Sequence, residues 1–128
     1  MPVSFKLNPE SNYVLAKFSG VLTDADVMDA YVTFYEGGQW IPGTNELVDL
    51  SEADVSPITV DGLVSLADYT EKFIRLHKVE NQKTAIYAPG DLPFGLARMY
   101  SSLAASSPEK IRVFRSFYDA EGWLESSA

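Results

Sequence analysis

The side chains of this chain that could do chemistry are carboxylates and hydroxyls, and they gather between Glu46 and Leu66. Asp49, Ser51, Glu52, Asp54, Ser56, Thr59 and Asp61 follow one another closely there. The stretch lies inside a longer segment, between Lys17 and Lys72, that holds eleven acids and no Lys or Arg. A one-signed field can steer and select a charged partner. The same run of charge also suits solvated helix faces and loops, the commoner use of such a pattern.

Other chemistries are poorly supplied. Cysteine is absent, so there is no disulfide framework, thiolate nucleophile or Cys-based zinc site. The sole histidine, His77, falls at the expected end of a helix, where a cation suits the dipole. No Gly-x-Ser-x-Gly elbow is present. Asp49, Glu52 and Asp54 do not follow the calcium-loop pattern, which needs a central glycine and a terminal Glu. Gly90 to Gly95 joins a strand to a helix where an α/β sheet places ligand loops, but it has neither a dinucleotide nor a Walker spacing. Asp91 with Pro93 there reads as a helix start. Arg98, further into that helix, could pair with an anion or be a solvated arginine. The expectation is a protein that is not an enzyme and needs no cofactor or metal.

The elements that position these groups follow from periodicity. Val3, Phe5 and Leu7 alternate with polar residues, a turn cluster spans Asn8 to Asn12, and Tyr13 to Phe18 follows, which predicts an opening hairpin. Thr23-Asp24-Ala25-Asp26 is an N-cap signal, with Asp where a capping box prefers Glu. Val27, Tyr31, Phe34 and Tyr35 then recur at helical spacing up to Gly37-Gly38. Glu46–Leu50 reads as a third strand. A wide apolar helix face runs from Pro57 or Thr59 to near His77. Thr84–Ala88 is a short apolar strand of the kind buried on both faces. Leu96, Met99, Tyr100 and Leu103 mark a third helix. Ile111–Arg115 is a fifth strand whose arginines suit a sheet edge, and Phe117–Leu124 is a closing helix.

The order ββαβαβαβα predicts a single α/β domain over residues 1–128, with a mostly parallel five-stranded sheet. The length of 128 residues and a hydrophobic fraction of 46% support one real core. Seven Phe, seven Tyr and two Trp should mostly fill it. Trp40, in a loop beside Ile41 and Pro42, could cap that core, line a pocket or make a subunit contact. A net charge of −8 disfavours nucleic-acid binding. No apolar run is long enough for a transmembrane helix, and the first residues lack a signal-peptide pattern, so a cytoplasmic location is expected.

Several stretches resemble the STAS superfamily, the fold of bacterial anti-sigma-factor antagonists. Val48-Asp49-Leu50-Ser51 is similar to the end of that family's central strand, and Thr59-Val60-Asp61-Gly62-Leu63 to the start of its following helix. Phe94 to Tyr100 and Val113 to Leu124, with Phe18 to Thr23, look like the small bacterial SpoIIAA-like relatives, whose role is mostly unassigned. The resemblance implies a right-handed βα superhelix and a regulatory or protein-interaction module. Its docking face would comprise Asp49, Ser51, Asp54, Thr59, Asp61 and Gly62, and its partner would have a basic surface. Where regulatory members carry a phosphorylated serine, this chain has Asp61, so the usual switch is in doubt; Ser51, Ser56 and Thr59 are the nearby acceptors. STAS-like domains share topology with lipid-binding CRAL-TRIO domains. The alternative expectation is therefore a carrier or sensor of a small apolar, lipid-like ligand, with Trp40 and Arg98 as contacts for a ligand or a second subunit in a homodimer.

Overall fold

A computed structural model of the protein describes residues 2–126 apart from Pro9 and Ser11. Part of the expected Asn8–Asn12 turn thus lies outside the described residues. The elements run β1 (Val3–Asn8), β2 (Tyr13–Val21), α1 (Asp24–Glu36), β3 (Asn45–Asp54), α2 (Val60–Leu76), β4 (Lys83–Tyr87), α3 (Asp91–Leu103), β5 (Lys110–Phe114) and α4 (Phe117–Glu125). The strands form one sheet in chain order. β1 and β2 are antiparallel, and β2 through β5 run parallel. This is the expected α/β architecture, hairpin included, and β5 does form an edge, with exposed Arg112 on it and Arg115 just beyond its end.

Strand alternation divides the molecule into two layers of core. One face of the sheet carries Val14, Ala16, Phe18, Val48, Leu50 and Ile86 against α1, α2 and α3. The other carries Tyr13, Leu47 and Ala85 against α4 through Ala120 and Leu124. β4 is therefore buried on both sides, as its apolar run predicts. Lys83, also buried, points to the α4 side. Its Nζ donates to the carbonyls of Trp123 and Ser126 at 3.1 and 2.7 Å, which satisfies orphan acceptors at that helix end.

Helix termini follow their local chemistry. Thr23 and Asp26 form a reciprocal capping box, at 3.0 and 3.2 Å, so the shorter Asp serves in place of Glu. The left-handed residue after α1 is Gly38, with φ of 87°. α2 ends in a Schellman pattern: Val79 N–H donates to the Ile74 carbonyl and Lys78 N–H to that of Arg75. Lys78 takes the left-handed position there, with φ of 54°, where glycine is usual.

Two strands run longer than their apolar patterns. β3 does not end at Leu50-Ser51 but continues to Asp54, and β2 continues to Val21 beside it. A register shift between Lys17 and Ser19 breaks the period that sequence reading relies on. The extension is polar, and Lys17 pairs with Glu52 across it. Ser51 and Asp54 thus sit on a strand rather than in a loop.

Candidate functional site

Glu46 begins the site. It occupies the same strand parity as Val48 and Leu50, so the pleat of β3 directs it into the core. Only 5% of it is exposed. The Tyr31 hydroxyl from α1 donates to Glu46 Oε2 at 2.6 Å. Glu109, immediately before β5, is the second buried carboxyl. Its Oε2 accepts from Thr84 Oγ1 at 2.9 Å and from Gln82 Nε2 at 3.3 Å. Tyr100 of α3 and Thr70 of α2 complete the polar group through a 3.1 Å contact between their hydroxyls.

These groups form the polar end of a cavity of about 100 Å³ between the sheet and helices α1 to α3. Its walls are mostly apolar, including Val27, Met28, Leu63, Leu66, Ile86 and Ala97, and Asp24 lies on its rim-forming segment beside Gly62. Among the described residues, no lysine, arginine or histidine lines it. A second groove of about 230 Å³ between β1 and the loop after α1 is lined by Phe5, Leu7, Val14, Phe34, Gln39 and Ile41, with no titratable group among the described residues.

Electrostatics at the polar end follow from desolvation. Burial pushes the Glu46 carboxyl up to about 8; the Tyr31 hydrogen bond opposes this and the nearby Glu109 reinforces it. Glu109 is raised by burial too, against the pull of its Thr84 and Gln82 bonds. Burial also holds the Tyr31, Tyr35 and Tyr100 phenols above their ordinary range. At neutral pH the phenols are therefore protonated, and Glu46 is mostly so.

The residues singled out in the sequence lie elsewhere, near the C-terminal end of β3 and the start of α2. Asp49 accepts from the Ser51 amide at 2.9 Å, and Asp54 from the amide and hydroxyl of Ser56 at 3.0 and 2.7 Å. Thr59 caps α2 by accepting from Gly62 N–H at 3.0 Å. The Thr59 hydroxyl and amide both donate to Asp24, at 2.6 and 2.9 Å. Gly62 suits that pairing, since a Cβ there would run into the Asp24 carboxyl. Asp61 is exposed in the first turn of α2. Of the face residues, only Gly62 touches the cavity.

Trp40 caps the core: it packs edge-on against Tyr35, Phe73 and His77. His77 is the C-cap residue of α2, and its Nδ1 contacts the Phe73 carbonyl at 2.9 Å. Arg98 is exposed, 6.0 Å from the Phe94 ring, and neither it nor Trp40 lines the cavity. Gly90 to Gly95 is the N-cap and first turn of α3 rather than a loop, and Asp91 there pairs with Arg115 at 2.7 Å, so this helix start carries its own anion. Among the described residues no cluster of acids and His has metal-site geometry, and no helix is long and apolar enough to cross a membrane.

No family model and no curated protein matches this chain. Among solved structures it is similar to an uncharacterized protein of the DUF3478 family from Shewanella loihica PV-4, described as having a SpoIIAA-like fold. The likeness covers 95% of this chain and 91% of that one, at 20% identity and a TM-score of 0.58. The fold is thus SpoIIAA-like, in agreement with the resemblance seen in the sequence.

Proposed function

We propose that this SpoIIAA-like chain is a STAS-like module that carries or senses a small apolar ligand, and that it acts by binding rather than catalysis. The observation that carries the reading is the cavity of about 100 Å³ walled by apolar side chains from three strands and three helices. Typical pockets for drug-sized molecules measure roughly 300–1,000 Å³, and a benzene-sized engineered cavity about 150 Å³. The occupant is accordingly a short alkyl chain or a single ring, smaller than a membrane lipid. This favours the ligand reading over a docking face acting alone.

The acidic face then becomes the output of the module. α2 lines the cavity with Leu63, Leu66 and Thr70, and its first turn presents Asp61 to solvent. A ligand that shifts α2 would alter what a basic protein partner meets at Asp61. Phosphorylation at Thr59 fits this arrangement poorly, because its hydroxyl already donates to Asp24 and a phosphate would face that carboxylate. Ser51 is an exposed hydroxyl on the same face.

The test is a methyl NMR titration with hexan-1-ol. Shifts should concentrate on Leu63, Leu66, Ile86 and Ala97. Ala97→Leu, which fills the cavity, should abolish them while leaving the rest of the spectrum in place. Shifts scattered over the surface, or unchanged in the filled variant, would count against the cavity as the binding site.

A further inference from the structure

The cavity has a sign as well as a polarity. Of the three carboxyl side chains that line it, Glu46 and Glu109 are nine-tenths or more buried, and among the described residues no basic side chain lines it. Each of these two uses Oε2 for its protein partners. Among the described residues, no hydrogen-bond partner faces Oε1 of Glu46 or of Glu109, and neither Oε1 is among the sealed unpartnered atoms, which are Trp40 Nε1 and Gln82 Oε1. Two acceptor-capable oxygens are therefore left to whatever enters.

The other groups that face them come from every packed element. They are the phenols of Tyr31 and Tyr35 on α1, Thr70 on α2, Thr84 on β4 and Tyr100 on α3, while the Asp24 carboxylate lines the cavity where α1 meets α2, bonded to Thr59. None is cationic. A buried carboxylate without a counter-ion is strongly disfavoured. A cation delivered with an apolar body would relieve that penalty, and the tyrosine rings add favourable faces. An anionic ligand such as a fatty acid would meet repulsion from both carboxyls. The acidic segment between Lys17 and Lys72, which contributes α1, β3 and most of α2 to the cavity walls, adds a long-range field that attracts cations.

We propose that the preferred ligand is a small apolar amine, bound as its ammonium with Glu46 and Glu109 as counter-ion. This rests on the cavity being a ligand site and adds the ligand's charge. The binding step is balanced: the ammonium enters with its proton, one neutral carboxyl becomes carboxylate, and one proton leaves to solvent.

Titration calorimetry at pH 7 with hexylamine, hexan-1-ol and hexanoate tests it, run in two buffers of different ionisation enthalpy. Hexylamine should bind at least about tenfold tighter than hexan-1-ol, a difference of about 1.4 kcal/mol. Hexan-1-ol should compete with it for one site, and proton release should approach one per amine bound. Glu46→Gln should cut both the preference and the release, with Glu109→Gln as a second variant if the first folds poorly. Equal or tighter binding of hexan-1-ol would overturn the charge preference and leave the apolar site standing. Binding by none of the three would overturn both.

Discussion

At the scale of single residues, Glu46 is the most consequential side chain. Its folded value of about 8 lies above the ordinary 4.5, so the native state holds a proton that the unfolded chain releases. The stability it contributes is complete below pH 4.5 and is lost as pH rises toward 8. The slope in that window is at most about 1.4 kcal/mol per pH unit from this group. Glu109, raised for the same reason, adds in the same direction. Thermal melts from pH 5 to 8 should therefore show falling stability, and Glu46→Gln should flatten the fall. A flat profile in the unaltered protein would contradict a buried, protonated Glu46.

At the scale of elements, the junction of α1 with α2 is held by Asp24, Thr59 and Gly62. Gly62→Ala would drive a methyl group into the Asp24 carboxyl and displace it from both donors of Thr59. Both hydrogen bonds are exposed, and alanine regains part of the cost in helix propensity, so the net loss should be about 1–2 kcal/mol of stability. Asp24→Ala should destabilise by a similar amount. Chemical denaturation of the double variant should show much less than the sum, because the two changes remove one shared interaction. The end of α2 offers the opposite case. Lys78→Gly relieves a left-handed lysine and should stabilise by a few tenths to about 1 kcal/mol in the same assay.

At the scale of the whole molecule, the net charge of −8 sets a background repulsion. Only a few close ion pairs offset it among the described residues: Lys17 with Glu52, Arg75 with Glu71 and Arg115 with Asp91. All are solvent-exposed pairs of modest worth. Salt screens the wider repulsion more than it weakens these pairs. The melting temperature should rise by a few degrees between about 20 and 500 mM sodium chloride. A fall would mean that the pairs, rather than the excess acid, dominate.

The sequence by itself determined the order of elements, the opening hairpin, the parallel sheet and most helix starts, because these follow from local periodicity and capping chemistry. Thr23, Thr59 and Gly90-Asp91 announce their helices within a few residues. Only the tertiary structure decided what the acids do. Asp61 and Glu46 look alike in the sequence, yet one meets water and the other a tyrosine hydroxyl inside the core. The sign was present in parity: Glu46 shares the register of Val48 and Leu50, and Glu109 that of Ile111 and Val113. Parity reveals which face a side chain takes, however, and not whether that face is sealed. Packing of α1, α2 and α3 over β3, β4 and β5 closed it, bringing together residues from 31 to 109 whose meeting depends on long-range contacts. Burial of a carboxyl is a property of that assembly, and so is the chemistry that desolvation confers on it.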